Sequence, residues 1–324
     1  MNYFFSIIVP VYNAQNYIAQ CARSLFGQNF KNIEYVFVDD CSSDNSLEIL
    51  KEVLKEFPDR YTSVKIIKNH KNMGVSFTRK VGMESTTGQY VIQIDSDDWV
   101  DLDMCNAFYK KIKETNADII CSDYYENYLG RQDYIEQNYG KDVDYFKAIL
   151  DGRLHGSLCN KMIKRSLFVD NNIYPILGFN LFEDKFVSLR LFFFSNKVEY
   201  INSAFLHYRQ YDKSFTNQPV NESQIYDTIF FINELQKFFE TNKLLSILNN
   251  EFYGCILNHK KIFLLDEQYF YLWDSFYPEA NKIKYLLTLK SYSLIKKIIT
   301  ALTLLFSKKI MKFAYTIHKK NKGL

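Results

Sequence analysis

Four short clusters in this 324-residue chain hold residue types that could do chemistry. The densest is Ile92-Gln93-Ile94-Asp95-Ser96-Asp97-Asp98-Trp99, with three carboxylates in four positions directly after an apolar run. Like charges this close repel one another unless a cation sits among them. Oxygen-only donors suit a hard divalent ion, Mg2+ or Mn2+, shared with phosphates. Such an ion would neutralise a departing diphosphate. The second cluster, Val38-Asp39-Asp40-Cys41-Ser42-Ser43-Asp44, sets two acids after another apolar run. One of them can accept from a nucleobase N–H, while Ser43 and Asp44 suit the cap of a following helix. In the third, Ile8-Val9-Pro10-Val11-Tyr12-Asn13, the proline is expected to stop strand pairing and leave Tyr12 and Asn13 exposed. The fourth is Phe182-Glu183-Asp184-Lys185, where a carboxylate could take the proton of an attacking hydroxyl. Of the five histidines only His207, in Leu206-His207-Tyr208-Arg209, is retained as a candidate. Each cluster also has a plain structural reading as a turn, a helix cap or a solvated acidic loop.

Two common phosphate-binding signatures are missing. The eleven glycines form no Gly-x-Gly-x-x-Gly, and no Gly-Lys-Ser/Thr occurs, which excludes a dinucleotide-binding Rossmann site and a P-loop. The six cysteines show no C-x-x-C pairing, so they read as reduced, mostly buried thiols. The 17% aromatic content reads as a Phe/Tyr-rich core. The apolar start, Met1 to Val11, has no basic leader and reads as a first buried strand, and no stretch of eighteen apolar residues suggests a membrane span. The net charge of +3 hides an asymmetry. Residues 281–324 carry eleven lysines and no acid, leaving the first 280 residues at −8.

The elements that must position these clusters alternate. Strands are expected at Ser6–Val11, Ile33–Val38, Val64–Ile67, Tyr90–Ile94 and Asp118–Cys121. Helices are expected at Ala14–Gly27, Leu47–Phe57, Val75–Glu84 and Leu102–Thr115. Fully apolar strands between amphipathic helices predict an α/β fold with a mostly parallel central sheet flanked by helices. Ligands of such sheets bind beyond the carboxyl ends of the strands, and three of the clusters fall there. Residues 124–152 are polar, Tyr-rich and without period, an irregular lid candidate. Alternation returns over Leu158–Phe168, Phe182–Phe194 and Val198–Tyr208, and beyond Asn221 a helical C-terminal extension is expected.

Taken in order, the clusters resemble the inverting glycosyltransferases of family 2, of the bacterial polysaccharide-biosynthesis type, which have a GT-A fold. Besides the runs above, Asn72-Met73-Gly74-Val75-Ser76 with Arg79, Gly88-Gln89-Tyr90, Asn160-Lys161-Met162, and Tyr208-Arg209 with Ser214 match its landmarks over residues 4–215. The resemblance implies roles. Pro10 and Tyr12 would border the nucleobase, and Asp40, with Asp39 second, would bind the uracil N–H. Arg79 would reach the base or the diphosphate. Asp95 would contact the ribose, with Ser96 in the same nucleotide-sugar set. Asp97 and Asp98 would hold Mn2+ or Mg2+, with His207 as a further metal or diphosphate contact alongside Arg209. Asp184 would be the base and Glu183 its orienting neighbour. Two positions depart from the family pattern: Cys41 replaces its usual Gly, and Lys80 follows Arg79 where Asn is usual.

The implied reaction transfers a sugar, from a UDP-hexose or UDP-N-acetylhexosamine, to a hydroxyl of a saccharide or lipid-linked saccharide acceptor, with inversion at the anomeric carbon. The alternatives are a nucleotide-sugar-binding module and a nucleotidyltransferase. Residues 1–220 are expected to form the catalytic domain, with a nucleotide half to 123 and an acceptor half from 124. Residues 221–324 would be a helical region ending in a basic amphipathic tail over 281–324. On a helix, Leu294, Ile295, Ile298, Ile299, Leu302, Leu305 and Phe306 share a face that excludes Lys296, Lys297 and Lys308, and the pattern weakens after Ser307. That favours an anionic membrane surface over nucleic acid, and so a cytoplasmic protein peripheral on the inner face of the membrane.

Overall fold

The computed structural model describes residues 3–137, 143–210 and 220–321. Ser214 and Lys322 lie outside them. The chain divides into two compact units, one of residues 1–140 and 157–211, the other of 141–156 and 212–324.

The first unit is built on one nine-stranded sheet. In chain order its elements are β1 (Phe5–Val11), α1 (Ile18–Phe26), β2 (Ile33–Asp39), α2 (Ser46–Lys55), β3 (Val64–Lys68) and α3 (Val75–Glu84). They continue with β4 (Tyr90–Gln93), β5 (Trp99–Val100), α4 (Met104–Thr115), β6 (Ile119–Tyr128) and β7 (Arg131–Ile135). After α5 (Tyr145–Leu150), which belongs to the second unit, come β8 (Lys161–Lys164), α6 (Arg165–Asp170), α7 (Glu183–Phe194) and β9 (Val198–Arg209). The sheet order is β3-β2-β1-β4-β8-β6-β9-β5, with β7 paired to β6. Its first four strands are parallel throughout. Every residue of β2 is buried, and so is all of β1 except Pro10, as expected where helices cover both sheet faces. The other half is mixed, with β6 parallel to β9 but antiparallel to β7 and β8.

Strand order reverses between β1 and β4, and Pro10 acts there on one side only. Pairing with β2 runs through it to Val11↔Asp39, whereas pairing with β4 stops at Ile8↔Gln93. The expected end of pairing is therefore half right. Proline lacks an N–H, but only one edge of the strand opens, and that edge is the crevice at the switch point where ligands of such sheets bind.

Residues 124–135 are not the irregular segment expected. β6 continues to Tyr128 and turns through Leu129 and Gly130 into β7. Tyrosines fall on both faces of this ribbon, so its sequence shows no apolar alternation.

One buried carboxylate staples the parallel half together. Glu34 of β2, with no exposed surface, accepts from Ser6 Oγ at 2.7 Å, Thr87 Oγ1 at 3.0 Å, Gly88 N at 3.0 Å, the Thr87 N–H, and Lys65 Nζ at 3.0 Å. A Cβ at Gly88 would stand 2.5 Å from Ser6 Oγ, which accounts for glycine there. Burial opposes ionisation of Glu34, but these donors outweigh it and hold its pKa below the ordinary value.

The second unit is helical: α5, α8 (Glu222–Thr241), α9 (Asn249–Lys260), α10 (Phe270–Ser275), α11 (Ile283–Leu286), α12 (Leu294–Leu305) and α13 (Lys309–Asn321). Asn221 and Gln224 close a capping box at the start of α8. Leu257, Leu264, Trp273, Tyr285, Leu286 and Leu289 form a core. Buried Lys260 donates to the Trp273 and Tyr277 carbonyls and to Asn281 Oδ1, each at 2.9 Å. Of the six cysteines five are buried, and Cys41 is partly exposed.

Glu34→Gln is expected to cost about 3 kcal/mol at neutral pH, or about 6–12 °C in Tm, because several buried donors lose their anionic acceptor. The depressed pKa stabilises the fold above the unfolded value near ~4.3, and that contribution disappears as pH falls through the folded value. The melting-temperature gap between variant and wild type should therefore close in acid, and a gap independent of pH would reject the staple.

Candidate active site

The parallel strands deliver their carboxyl ends to one edge. Tyr12, after β1, is 52% exposed there. Asn13 ties this loop to the next one, its N–H donating to Ser42 Oγ at 3.1 Å and its Oδ1 accepting from Ser43 N at 2.9 Å. The two acids after β2 then separate by partner. Asp40 has both oxygens filled, Oδ1 by Asn69 Nδ2 at 2.8 Å and Met73 N at 2.9 Å, Oδ2 by Gly74 N at 2.8 Å. Asp39, fully buried, accepts from Ser42 N at 3.1 Å through Oδ1. Its Oδ2 has no hydrogen-bond partner among the described residues, and Lys68 Nζ is 3.9 Å away. The order of preference drawn from the sequence, Asp40 before Asp39, runs against this geometry. Asp40 organises the Asn69–Gly74 loop, where Gly74 with φ 86° opens α3, and Asp39 keeps the open oxygen.

Arg79 of α3 is the centre of the second group. It is 5% exposed and faces three carboxylates. Nη2 donates to Asp95 Oδ1 at 2.7 Å, and Nη1 donates to Asp184 Oδ1 at 2.7 Å and to Glu183 Oε1. Glu183 and Asp184 open α7 after Phe182, whose φ of 70° turns the chain into the helix. Burial, then the neighbouring Asp184 charge, pushes Glu183 up to about 8 against the pull of Arg79. Burial also raises Asp184, again opposed by Arg79. Arg79 therefore lies on the base candidates rather than facing open solvent, although the sequence had placed it toward the nucleotide. Cys159 Sγ stands 3.5 Å from the other oxygen of Asp95. Lys161, fully buried, donates to Ser157 O at 2.6 Å and Asn160 Oδ1 at 2.8 Å, which accounts for the Asn160-Lys161 pair.

The loop after β4 supplies the third group. Asp98 is 1% exposed; its Oδ1 accepts from Arg209 N at 2.8 Å, and its Oδ2 is buried with no hydrogen-bond partner among the described residues. Its pKa is raised by burial and by the charges of Asp97 and Asp95, with Arg209 opposing. Arg209 Nε donates to the Asp97 carbonyl at 2.9 Å, and buried Ser96 lies between these acids. An orphaned carboxylate oxygen among like charges fits a hard cation. Among the described residues no three His, Cys, Asp or Glu side chains form a ready-made metal cage. His207 does not join these acids. Its Nε2 is 3.1 Å from Asp101 Oδ1 and its Nδ1 is 3.2 Å from Gln132 Nε2.

Several neighbours went unread in the sequence: Tyr17 and Trp99, whose rings lie 5.0 and 4.6 Å from the Arg209 guanidinium, and Gln20, whose Oε1 accepts from Arg209 Nη2 at 2.6 Å. The two-residue spacing of His207 and Arg209, which puts both on one face of a strand, was the available signal.

The family model for glycosyl transferase family 2 matches residues 6–170, just over half of the chain. This chain belongs to glycosyl transferase family 2. EpsH of Bacillus subtilis is 29% identical over 270 residues, covering 81% of this chain and 76% of that protein. The crystal structure of Staphylococcus aureus TarS residues 1–349 in complex with UDP-GlcNAc aligns with a TM-score of 0.64 at 18% identity, over 99% of this chain and 92% of that one. The mannosyltransferase PcManGT from Pyrobaculum calidifontis, in complex with GDP-Man and Mn2+, aligns at 0.55 and 11%, over 94% and 88%. The GT-A fold that the resemblance implied is therefore the fold of this family member. One of its departures has a local account: Cys41 has φ 62°, the left-handed conformation that glycine adopts without strain. The backbone is kept at a cost of about 1 kcal/mol.

Arg79→Met should destabilise the protein by about 3–5 kcal/mol, since it leaves three carboxylates clustered without their cation. Freed of the guanidinium, these groups bind protons more tightly when folded than unfolded, so stability falls as pH rises. The Tm deficit should be larger at about pH 8 than at about pH 5.5. A deficit growing toward acid would refute the arrangement.

Proposed function

We propose that this family 2 member transfers a sugar, with inversion, from a UDP-hexose or UDP-N-acetylhexosamine to a hydroxyl of a saccharide acceptor in bacterial polysaccharide synthesis. The observation that carries the reading is the single guanidinium of Arg79, which holds Asp95, on the donor side, beside Asp184 at the start of α7. Asp39 Oδ2 is the acceptor for the nucleobase N–H, next to Pro10 and Tyr12. Asp95 takes the ribose. Asp97 and Asp98 would hold Mn2+ or Mg2+, which supplies charge neutralisation to the leaving diphosphate. Among the described residues no group of three His, Cys, Asp or Glu side chains converges there, and the donor's phosphates would complete the coordination.

Asp184 accepts the proton of the acceptor hydroxyl. As the new C–O bond forms at the anomeric carbon, the bond to the diphosphate oxygen breaks on the opposite face, and nucleoside diphosphate leaves with the electron pair. Glu183, which burial and the Asp184 charge bias toward its protonated form, orients Asp184. Burial raises Asp184 toward a more effective base. Donor recognition of the UDP type draws support from the fold shared with TarS bound to UDP-GlcNAc.

Membrane docking is the second part of the reading, carried by the exposed face of α12. Leu294, Ile295, Ile298, Leu302, Leu305 and Phe306 are all at least 38% exposed, while Thr300 and Thr303 are buried and Ala301 and Leu304 pack on the helical core. The apolar surface does not stop at Ser307, because α13 exposes Phe313 and Ile317 as well. Not all of the positive charge is available. Lys312 pairs with Glu267 at 3.0 Å, and Lys308 pairs with Asp274. Lys296 and Lys297 border the exposed stripe without an acid between residues 281 and 324. Among the described residues no helix is long and apolar enough to cross a membrane. The face suits insertion of its side chains into the cytoplasmic surface of an anionic membrane, near a lipid-linked acceptor.

Asp184→Asn should lower transfer by at least about 1000-fold while UDP binding is unchanged. A panel of UDP- and GDP-sugars with Mn2+ is the assay. Wild-type turnover in the variant would remove Asp184 as the base, and donor binding without any UDP release by the wild type would favour the binding-module reading. Replacing Ile295, Ile298 and Phe306 together by Ser should reduce binding to phosphatidylglycerol vesicles by at least about tenfold. Sedimentation equal to wild type would refute the docking face.

A further inference from the structure

The register of the mixed half of the sheet brings four side chains into one row. Trp99 on β5 lies opposite His207 on β9, His207 opposite Tyr125 on β6, and Tyr125 opposite Tyr134 on β7. The rings stack. Trp99 and His207 are 4.9 Å apart and 7° from parallel, His207 and Tyr125 are 4.8 Å apart at 21°, and Tyr134 meets Tyr125 edge-on at 5.4 Å. The Trp99 ring also carries the Arg209 guanidinium at 4.6 Å, and the Tyr17 ring lies 5.0 Å from the same guanidinium. Arg209 is then fixed in its plane by its Nε bond to the Asp97 carbonyl and by Gln20, while Nη1 has no hydrogen-bond partner among the described residues.

We propose that His207, with Trp99 and Tyr125, is a positioning residue that presets Arg209 for the donor's diphosphate, acting through the stack and not as a metal ligand. The inference rests on the donor reading above. Its physical basis is preorganisation. A free arginine side chain surrenders several rotamers when it meets a phosphate, whereas a guanidinium already clamped between two rings does not. Stacking uses the faces of the planar fork, and Nη1, without a hydrogen-bond partner among the described residues, is available to an oxyanion.

His207 has no lone pair to offer a metal in this arrangement. Gln132 donates its amide N–H to Nδ1, which makes Nε2 the protonated nitrogen, and Nε2–H donates to Asp101 Oδ1. The ring's faces are taken by Trp99 and Tyr125. What the ring supplies is its flat shape and its place in the row.

The test separates stacking from ligation by shape. His207→Phe keeps a flat ring in the row but cannot bind a metal, and His207→Ala removes the ring. UDP affinity with Mn2+ is read by calorimetry. Trp99 emission and its quenching by acrylamide are read in a Trp273→Phe background, which leaves Trp99 as the sole tryptophan. His207→Ala should weaken UDP binding about 3- to 10-fold, shift Trp99 emission to the red and increase quenching. His207→Phe should restore both readouts to within about twofold of wild type. Two results would overturn the proposal. One is a His207→Phe variant as deficient as His207→Ala, which is the signature of a lost ligand. The other is a His207→Ala variant that binds UDP as the wild type does. Thermal melting of both variants shows whether a loss reflects unfolding, and the Phe variant decides the matter if the Ala variant does not fold. Failure of the wild type to bind UDP or GDP with Mn2+ overturns the donor reading, and this inference with it.

Discussion

One buried guanidinium shared by three carboxylates is the constraint on which the rest of this site depends. Arg79 reaches α7 through Glu183 and Asp184 and the loop after β4 through Asp95, so three chain segments meet on one cation. Removing any one partner changes the charge balance of the others, because burial leaves little solvent to screen them. Burial, and then the Asp184 charge, hold Glu183 above an ordinary carboxylate, and Arg79 opposes them only in part. One positive charge cannot compensate three negative ones in a desolvated space, and a proton on Glu183 relieves the deficit.

The sheet turns this local constraint into a site. Four parallel strands place the loops after β1, β2 and β4 at one edge, and the strand-order reversal beside Pro10 opens a crevice between two of them. The buried Glu34 staple sits toward the other end of those strands, tying β1, β2, β3 and the turn before β4. Stability and chemistry are thus separated along the strands: satisfied polar groups at one end, and orphaned oxygens of Asp39 and Asp98 at the other. Orphaned buried acceptors are costly in a fold with no ligand, and sensible in one that binds a nucleobase donor and a cation.

The mixed half of the sheet does a different task. Its pairings, antiparallel for β5–β9 and β6–β7 and parallel for β6–β9, set the register that lines up Trp99, His207, Tyr125 and Tyr134, and β9 carries Arg209 back to the loop after β4. In the helical unit the surplus apolar face of α12 and the lysines around it are likewise a property of one element. Its buried threonines show which side already has a protein partner.

Much of this was legible before any fold was known. Apolar runs located β1, β2 and β4, the last two ending in carboxylate clusters, because a parallel strand buried on both faces must be apolar and must end where polar groups can be solvated or bound. The heptad-like stripe of α12 was readable for the same reason, as helical periodicity is a local property. The β6–β7 ribbon was not, since its tyrosines carry no period. Nor was the division of labour between Asp39 and Asp40, which depends on where Asn69, Met73 and Gly74 fall in space. The sequence by itself determined the elements, the residue types at their ends and the charge asymmetry between body and tail. Only the tertiary structure decided which carboxylate meets which cation and that His207 is stacked. Partners tens to more than a hundred residues apart are chosen by packing and strand register, and neither is written in local order.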